Sequence, residues 1–195
     1  MSSWLPTDLV SLLPRSLPKA SAAPAVGEKA PALEQVQFDK PTFVAFVRHC
    51  GCPWAQKEVT LLGKAYKESC EKLQIIIVQH AEQSEIDQWW QTIEGAKHLP
   101  QVKIISDPEH NIYASWGIGQ LSLLGVFWPP SLWELIQLAR KEGITNTTTR
   151  KGSLRYQNSG GFAIDEQGTV KWSKIAKHPA DICHYDEVAK GVFTS

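Results

Sequence analysis

Little in this sequence reaches outward. No run approaches the roughly 20 apolar residues that a bilayer-spanning helix needs, so a membrane span is not expected. Charge of either sign is not in excess: 20 Lys and Arg stand against 20 Asp and Glu, which leaves no basic surplus for nucleic-acid backbones or anionic lipid surfaces. Neither nucleic acid nor a membrane is an expected partner. Cysteine is scarce, four in 195 residues, far below the density of a disulfide framework, and each reads as a separate thiol in a reducing compartment. The opening MSSWLPTDLVSLLPRSLPKA lacks a basic leader and is broken by Pro6, Pro14 and Pro18, unlike a secretory signal. The expectation is a soluble cytoplasmic protein.

What is present is an alternation of buried strands and amphipathic helices. The length allows one core: an N-terminal arm over residues 1–25, flexible and rich in Pro, Ala and Ser, then one domain over 26–195. After Pro41, TFVAFVR is apolar on both faces and rich in β-formers, as a central strand covered on both sides should be. Ala55, Val59, Leu62, Tyr66, Cys70 and Leu73 follow at spacings of three and four, a helical stripe that would bury Cys70. QIIIVQ (74–79) is a second buried strand, followed by a helix through Trp89 and Trp90 with Ser84 as its expected N-cap. Residues 101–106 form a third strand ended by Asp107-Pro108, and a short helix carries Tyr113 and Trp116. Pro129-Pro130 opens a further helix that Gly143 stops. The polar stretch 145–153 reads as a surface loop, 160–175 as a hairpin turning at 165–168, and a last helix spans about 181–190. This order predicts an α/β, three-layer sandwich.

The chemistry concentrates in FVRHCGCPW, residues 46–54. Cys52 precedes Pro53 at the expected first turn of a helix, where unsatisfied N–H groups and the macrodipole favour a thiolate. Arg48 can add a permanent positive charge, and His49 a charge or a hydrogen bond. Ala55, one turn on, stands where a Cys-x-x-Cys pair would have its second thiol, so that dithiol route is closed to Cys52. Cys50 could pair with Cys52 only through a short, strained and easily reduced ring. Cys183 could resolve Cys52 only if the fold or a second subunit brings it near. His49, Cys50 and Cys52 lack the second spaced pair of a metal clasp, and no metal or cofactor is expected. Eight tryptophans serve mainly as core filling, with Trp54 and Trp128 as candidates for an apolar pocket beside the thiol.

Four stretches resemble, in order, the peroxiredoxin-like (AhpC/TSA-type) branch of the thioredoxin superfamily: VGEKAPAL (26–33), FVAFVRHCGCPW (43–54), ISDPEHNIYASWGIG (105–119) and GGFAIDEQGTV (160–170). The resemblance implies a thioredoxin-like fold with a central mixed sheet between helices, and a reactive cysteine, here Cys52, at the N-terminus of the first long helix. It also implies that the hairpin beginning at Gly160 and Gly161 lies near the active site. Peroxiredoxins carry a Thr or Ser three residues before that cysteine to help hold the peroxide; His49 stands there instead.

Two functions of different classes follow. The first is a thiol-dependent oxidoreductase in which Cys52 attacks a peroxide or disulfide, with Arg48 stabilising the thiolate. Cys50, Cys183 or an external thiol such as glutathione or thioredoxin then resolves it. The second is a redox-eroded scaffold that binds or transforms an apolar small molecule in a Trp-lined cleft, with His49 and Arg48 supplying any acid–base chemistry. A homodimer paired through the arm or a sheet edge stays open.

Overall fold

The structure, a computed structural model, describes residues 6–34, 36–70, 72–126 and 129–193. Among these residues five strands make one mixed sheet: β1 (Thr42–Phe46), β2 (Gln74–Gln79), β3 (Lys103–Ser106), β4 (Gly160–Ile164) and β5 (Val170–Ile175), in the order β3-β2-β1-β4-β5. β1, β2 and β3 run parallel, with Ala45 opposite Ile77, while β4 pairs antiparallel to β1, with Gly161 opposite Ala45. β4 and β5 form the expected hairpin; the Asp165 carboxylate accepts the main-chain N–H groups of Gln167 (3.0 Å) and Thr169 (2.8 Å) to close it.

Why β1 reads as apolar without alternation is visible in its two cores. Phe43, Ala45 and Val47 point into one, with Ile75 and Ile77, against the helices α2 (Pro53–Glu68), α3 (Gln83–Thr92) and α8 (Tyr185–Val192). Val44 and Phe46 point into the other, with Ile76, Val78, Tyr113, Trp116 and Phe162. Both faces of the strand are covered, which is the three-layer, thioredoxin-like arrangement. Trp116 packs on Phe162 (ring centroids 4.9 Å apart) and Tyr113 on Phe46 (5.1 Å), edge to face, the geometry aromatic quadrupoles favour.

The remaining helices are short apart from one. α1 (Thr7–Val10) lies in the arm, α4 (Gly95–His98) precedes β3, and α5 (Asn111–Ser115) follows it. Asp107 organises α5: its carboxylate accepts the N–H groups of Asn111 (3.0 Å), Ile112 (2.8 Å) and Tyr113 (3.0 Å), which are the orphan donors of a helix start. α6 (Leu123–Val126) and α7 (Pro129–Glu142) complete the set, and Gly143 ends α7 in the left-handed region.

Two local expectations need correction. Cys70 is exposed rather than core, because α2 stops at Glu68 and Cys70 itself adopts a positive φ of 53° that turns its side chain off the stripe. Glu82, not Ser84, occupies the N-cap position of α3, and its side chain makes no capping hydrogen bond. The stretch 145–153 is a surface loop, as expected, but a tethered one: Thr149 and Ser153 are buried, and Thr147 N–H donates to Gly51 O (3.2 Å) while Arg150 N–H reaches Cys50 O (3.4 Å). The arm also makes specific contacts. Asp8 accepts from Thr149 Oγ1 (2.6 Å) and Arg155 Nη2 (2.7 Å), and Arg155 Nε donates to Ser11 Oγ (3.0 Å). No helix among the described residues is long and apolar enough to cross a membrane.

Candidate active site

β1 delivers the chain to the site. Beyond Phe46, Val47 N–H still bonds to Val78 O (3.2 Å); the main chain then leaves the sheet and turns through residues 50–52. Cys52 N–H closes that turn on His49 O (3.0 Å). Gly51 sits at φ 103°, and a Cβ there would stand 2.9 Å from Thr148 O, so only glycine satisfies both the turn and the strap across it. Cys52 is the N-cap of α2, in extended backbone, and Pro53 opens the helix. Cys52 therefore heads the helix beside the free N–H groups of its first turn, although its side chain accepts no capping hydrogen bond.

Cys52 is buried to all but its edge, on a cleft of about 500 Å³. Arg48, His49, Pro53 and Trp54 line this cleft with it, together with apolar side chains from α7, Leu132 and Leu135, and from the arm, Leu12. Arg48 is 3 % exposed. Its Nη2 donates to Arg155 O (2.7 Å), and its Nε and Nη1 have no hydrogen-bond partner. A buried guanidinium with two unused donors is costly unless something anionic completes it. Gln79 Nε2 fixes the backbone beneath it, donating to Arg48 O (2.8 Å).

His49 contributes no charge. Burial and the neighbouring Arg48 push it down to about 3, so its imidazole is neutral, with Nδ1 3.2 Å from Cys50 O. Of the two roles open to it, burial leaves the hydrogen bond. Cys50 lies fully buried beneath the turn, and burial raises its thiol to about 12.

Of the expected site residues, Arg48, His49, Cys52, Pro53 and Trp54 come together on the cleft and Cys50 lies directly behind it. Gly160 and Gly161 do not line it. They are paired with Phe46 and Ala45 inside the sheet, and a Cβ on Gly161 would meet Tyr185 Oη at 2.5 Å and Cys183 Sγ at 3.0 Å. Trp128 lies outside the described residues. Trp116 fills the opposite core and Trp133 is exposed, so Trp54 is the tryptophan that lines the cleft among the described residues.

Two participants were not anticipated. Arg155, from the loop before β4, joins Arg48 on the cleft; nothing in its neighbourhood signals this from sequence. Glu58, in the second turn of α2, is fully buried, with Oε1 accepting from Cys183 N–H (3.2 Å) and Oε2 unpartnered. Burial, and then the nearby Cys52, raise it to about 8. Its signal was legible: a carboxylate set among Ala55, Val59 and Leu62 on the buried stripe.

Comparison with known proteins adds the context. The sequence pattern of the AhpC/TSA antioxidant enzyme family matches residues 63–178, a stretch that begins beyond the turn carrying Cys52. No curated protein sequence matches the chain. Among solved structures, the chain is similar to a thiol peroxidase from Chromobacterium violaceum (13 % identity, 91 % of each chain covered, TM-score 0.55). It is similar also to a peroxiredoxin-like protein from Aquifex aeolicus (15 % identity, 89 % of each chain, TM-score 0.56) and to the yeast mitochondrial 1-Cys peroxiredoxin (16 % identity, 87 % of this chain and 75 % of that one, TM-score 0.53). At these identities the likeness is one of fold.

Proposed function

The chain belongs to the AhpC/TSA antioxidant enzyme family, and from that premise we propose that it is a thiol peroxidase whose reacting atom is Cys52 Sγ. The observation that carries this reading is the pairing of a cysteine at the N-cap of α2 with the buried, partly unpartnered guanidinium of Arg48 on one cleft. Helix N–H groups and a fixed cation both favour the thiolate, the nucleophile that peroxide cleavage requires.

Attack forms an S–O bond and breaks the O–O bond; the departing alkoxide or hydroxide takes a proton and Cys52 becomes a sulfenic acid. The free donors of Arg48 stabilise the charge that passes from sulfur to the leaving oxygen. His49, neutral, holds the turn rather than the peroxide. Leu12, Leu132, Leu135 and Trp54 give the cleft an apolar wall, which favours an organic hydroperoxide over hydrogen peroxide.

A second thiol returns Cys52 to its starting state. Cys50 is poorly suited: its thiol is pushed up to about 12 and its carbonyl is held by the 145–153 strap. An external thiol, glutathione or a thioredoxin, reaches Cys52 through the cleft; the solved yeast mitochondrial 1-Cys peroxiredoxin is described as resolved through glutathione and thioredoxin systems. Four free cysteines fit a reducing, cytoplasmic setting. No bound cofactor enters this cycle.

Stopped-flow Trp fluorescence tests the reading, because Trp54 is two residues from the reacting sulfur. The reduced protein mixed with an organic hydroperoxide should give a fluorescence change that Cys52→Ser abolishes. No change at millimolar hydroperoxide, with the protein folded, would turn the cleft into a binding site for an apolar ligand, in which case Cys52→Ala would leave binding intact and Trp54→Ala would weaken it.

A further inference from the structure

Glu58 is a buried carboxyl with a neighbourhood too specific for a packing accident. Charged and titratable groups from several elements act on it. Cys52 stands at the head of its own helix, and Arg48 approaches from the end of β1. Lys174 comes from β5, and Cys183 and Tyr185 from the start of α8 and the segment before it; Tyr113 acts across the sheet. One carboxylate oxygen accepts the main-chain N–H of Cys183 and the other, wholly buried, accepts nothing. An ionised carboxylate so placed would lack half its hydrogen bonds. The raised value of about 8 agrees with a carboxyl that holds its proton near neutrality.

The charge balance of the cluster gives that proton a use. Arg48 is a buried cation whose guanidinium meets only a carbonyl oxygen. With Cys52 as thiolate the pair is balanced and a second negative charge on Glu58 is disfavoured. Once Cys52 is oxidised to a neutral sulfenic acid, Arg48 loses its counter-charge, and a carboxylate at Glu58 restores it.

We propose that Glu58 is the positioning residue that exchanges a proton in step with the charge on Cys52, protonated while the thiolate stands and ionised once that sulfur is oxidised. The inference rests on the peroxidase reading above. The step balances. The thiolate sulfur bonds the terminal peroxide oxygen, the O–O bond breaks, and the alkoxide leaves with the electron pair. The alkoxide becomes an alcohol, and the proton it takes is matched by one given up at Glu58. One negative charge leaves sulfur and one appears on the carboxylate, with no net uptake from solvent.

Two measurements on one sample test this. The infrared difference spectrum of the reduced protein near neutral pH, before and after one equivalent of an organic hydroperoxide, should lose a protonated-carboxyl C=O band. That loss should be missing from Cys52→Ser and from Glu58→Gln. A pH-indicator dye in weak buffer should register no proton uptake by the wild type, and one proton per oxidised Cys52 in Glu58→Gln, where the alkoxide must draw on solvent. A mass spectrum reports oxidation in parallel. Cys52 oxidised with the carboxyl band unchanged, or with wild type taking up a full proton, overturns the role of Glu58 and leaves the peroxidase reading standing. Cys52 unoxidised overturns the peroxidase reading and this inference with it. Should Glu58→Gln not fold, Glu58→Asp, which keeps the carboxyl and moves its band, assigns the lost C=O band instead, and a band that Glu58→Asp leaves in place overturns the role of Glu58.

Discussion

The two faces of the sheet are built from alternate residues of the same strand and have opposite characters. Val44 and Phe46 of β1 face an aromatic packing of Tyr113, Trp116 and Phe162, where the buried Tyr113 hydroxyl lies 2.6 Å from Val47 O and 2.8 Å from Val78 O. Phe43, Ala45 and Val47 face a core that holds Cys52, Cys183 and Tyr185, and the buried Glu58 enters from α2 beside them with one carboxylate oxygen unpartnered. Each face leaves a buried polar atom without a partner: Trp116 Nε1, a neutral indole, on the first, and Tyr185 Oη and Glu58 Oε2 on the second. The difference is that the second face holds an ionisable carboxyl and the thiol of Cys52, groups whose cost in stability can serve chemistry.

The comparison breaks most sharply under paired substitutions. Cys52→Ser should abolish reaction with hydroperoxide while thermal unfolding changes little. Trp116→Ala, on the other face, should cost about 3–5 kcal/mol of stability and leave Cys52 oxidisable in the folded fraction; unfolding curves with mass spectra of the oxidised protein separate the two. If Trp116→Ala also silenced Cys52 in folded protein, the two faces would not be independent.

Smaller effects sharpen the same contrast. Arg48→Met removes charge-assisted stabilisation worth about 1.5–3 kcal/mol, so single-turnover rates of hydroperoxide reduction should fall roughly 10- to 100-fold.

Glu58 should make stability depend on pH with a known sign. Its native value of about 8 lies above the ordinary 4.5, so the folded state binds this proton more tightly than the unfolded state. Its stabilising contribution is complete below about 4.5 and is lost as pH rises through about 8. Denaturant midpoints should decline across that window in the wild type, and the decline attributable to this group should be gone in Glu58→Gln.

The smallest expected effect is that of Asp8→Ala. It removes an exposed ion pair to Arg155 and a hydrogen bond from Thr149, worth about 0–1 kcal/mol globally. Faster limited proteolysis within residues 1–25 would be its readout.

Sequence legibility divides along the same line. Periodicity and turn chemistry sufficed for β1, β2, α2, the 165–168 turn and the Gly143 stop, because each is specified by its own residues. The turn bearing Cys52 was legible too, since a strand, a glycine and a proline at helix position N1 are local signals. What escaped was long-range. The strap of residues 145–153 across the turn and the clasp of Asp8 on Arg155 join segments far apart in the chain, which local pattern cannot pair. Gly160 and Gly161, expected at the substrate site, serve close packing against Tyr185, Cys183 and Lys174 O instead. Cys70 falls off the stripe because the helix ends at Glu68, a stop that periodicity alone does not show. Glu58 was visible as a carboxylate on an apolar stripe, and only the fold shows Cys183 beside it.

The most direct test of the account is a peptide mass map of the reduced protein after one equivalent of an organic hydroperoxide. The account predicts a single modified site, Cys52, carrying an added oxygen or a disulfide to a second thiol, with Cys50 and Cys183 free of added oxygen. Cys52 untouched in a folded protein, or oxidation starting at the exposed Cys70, would contradict it.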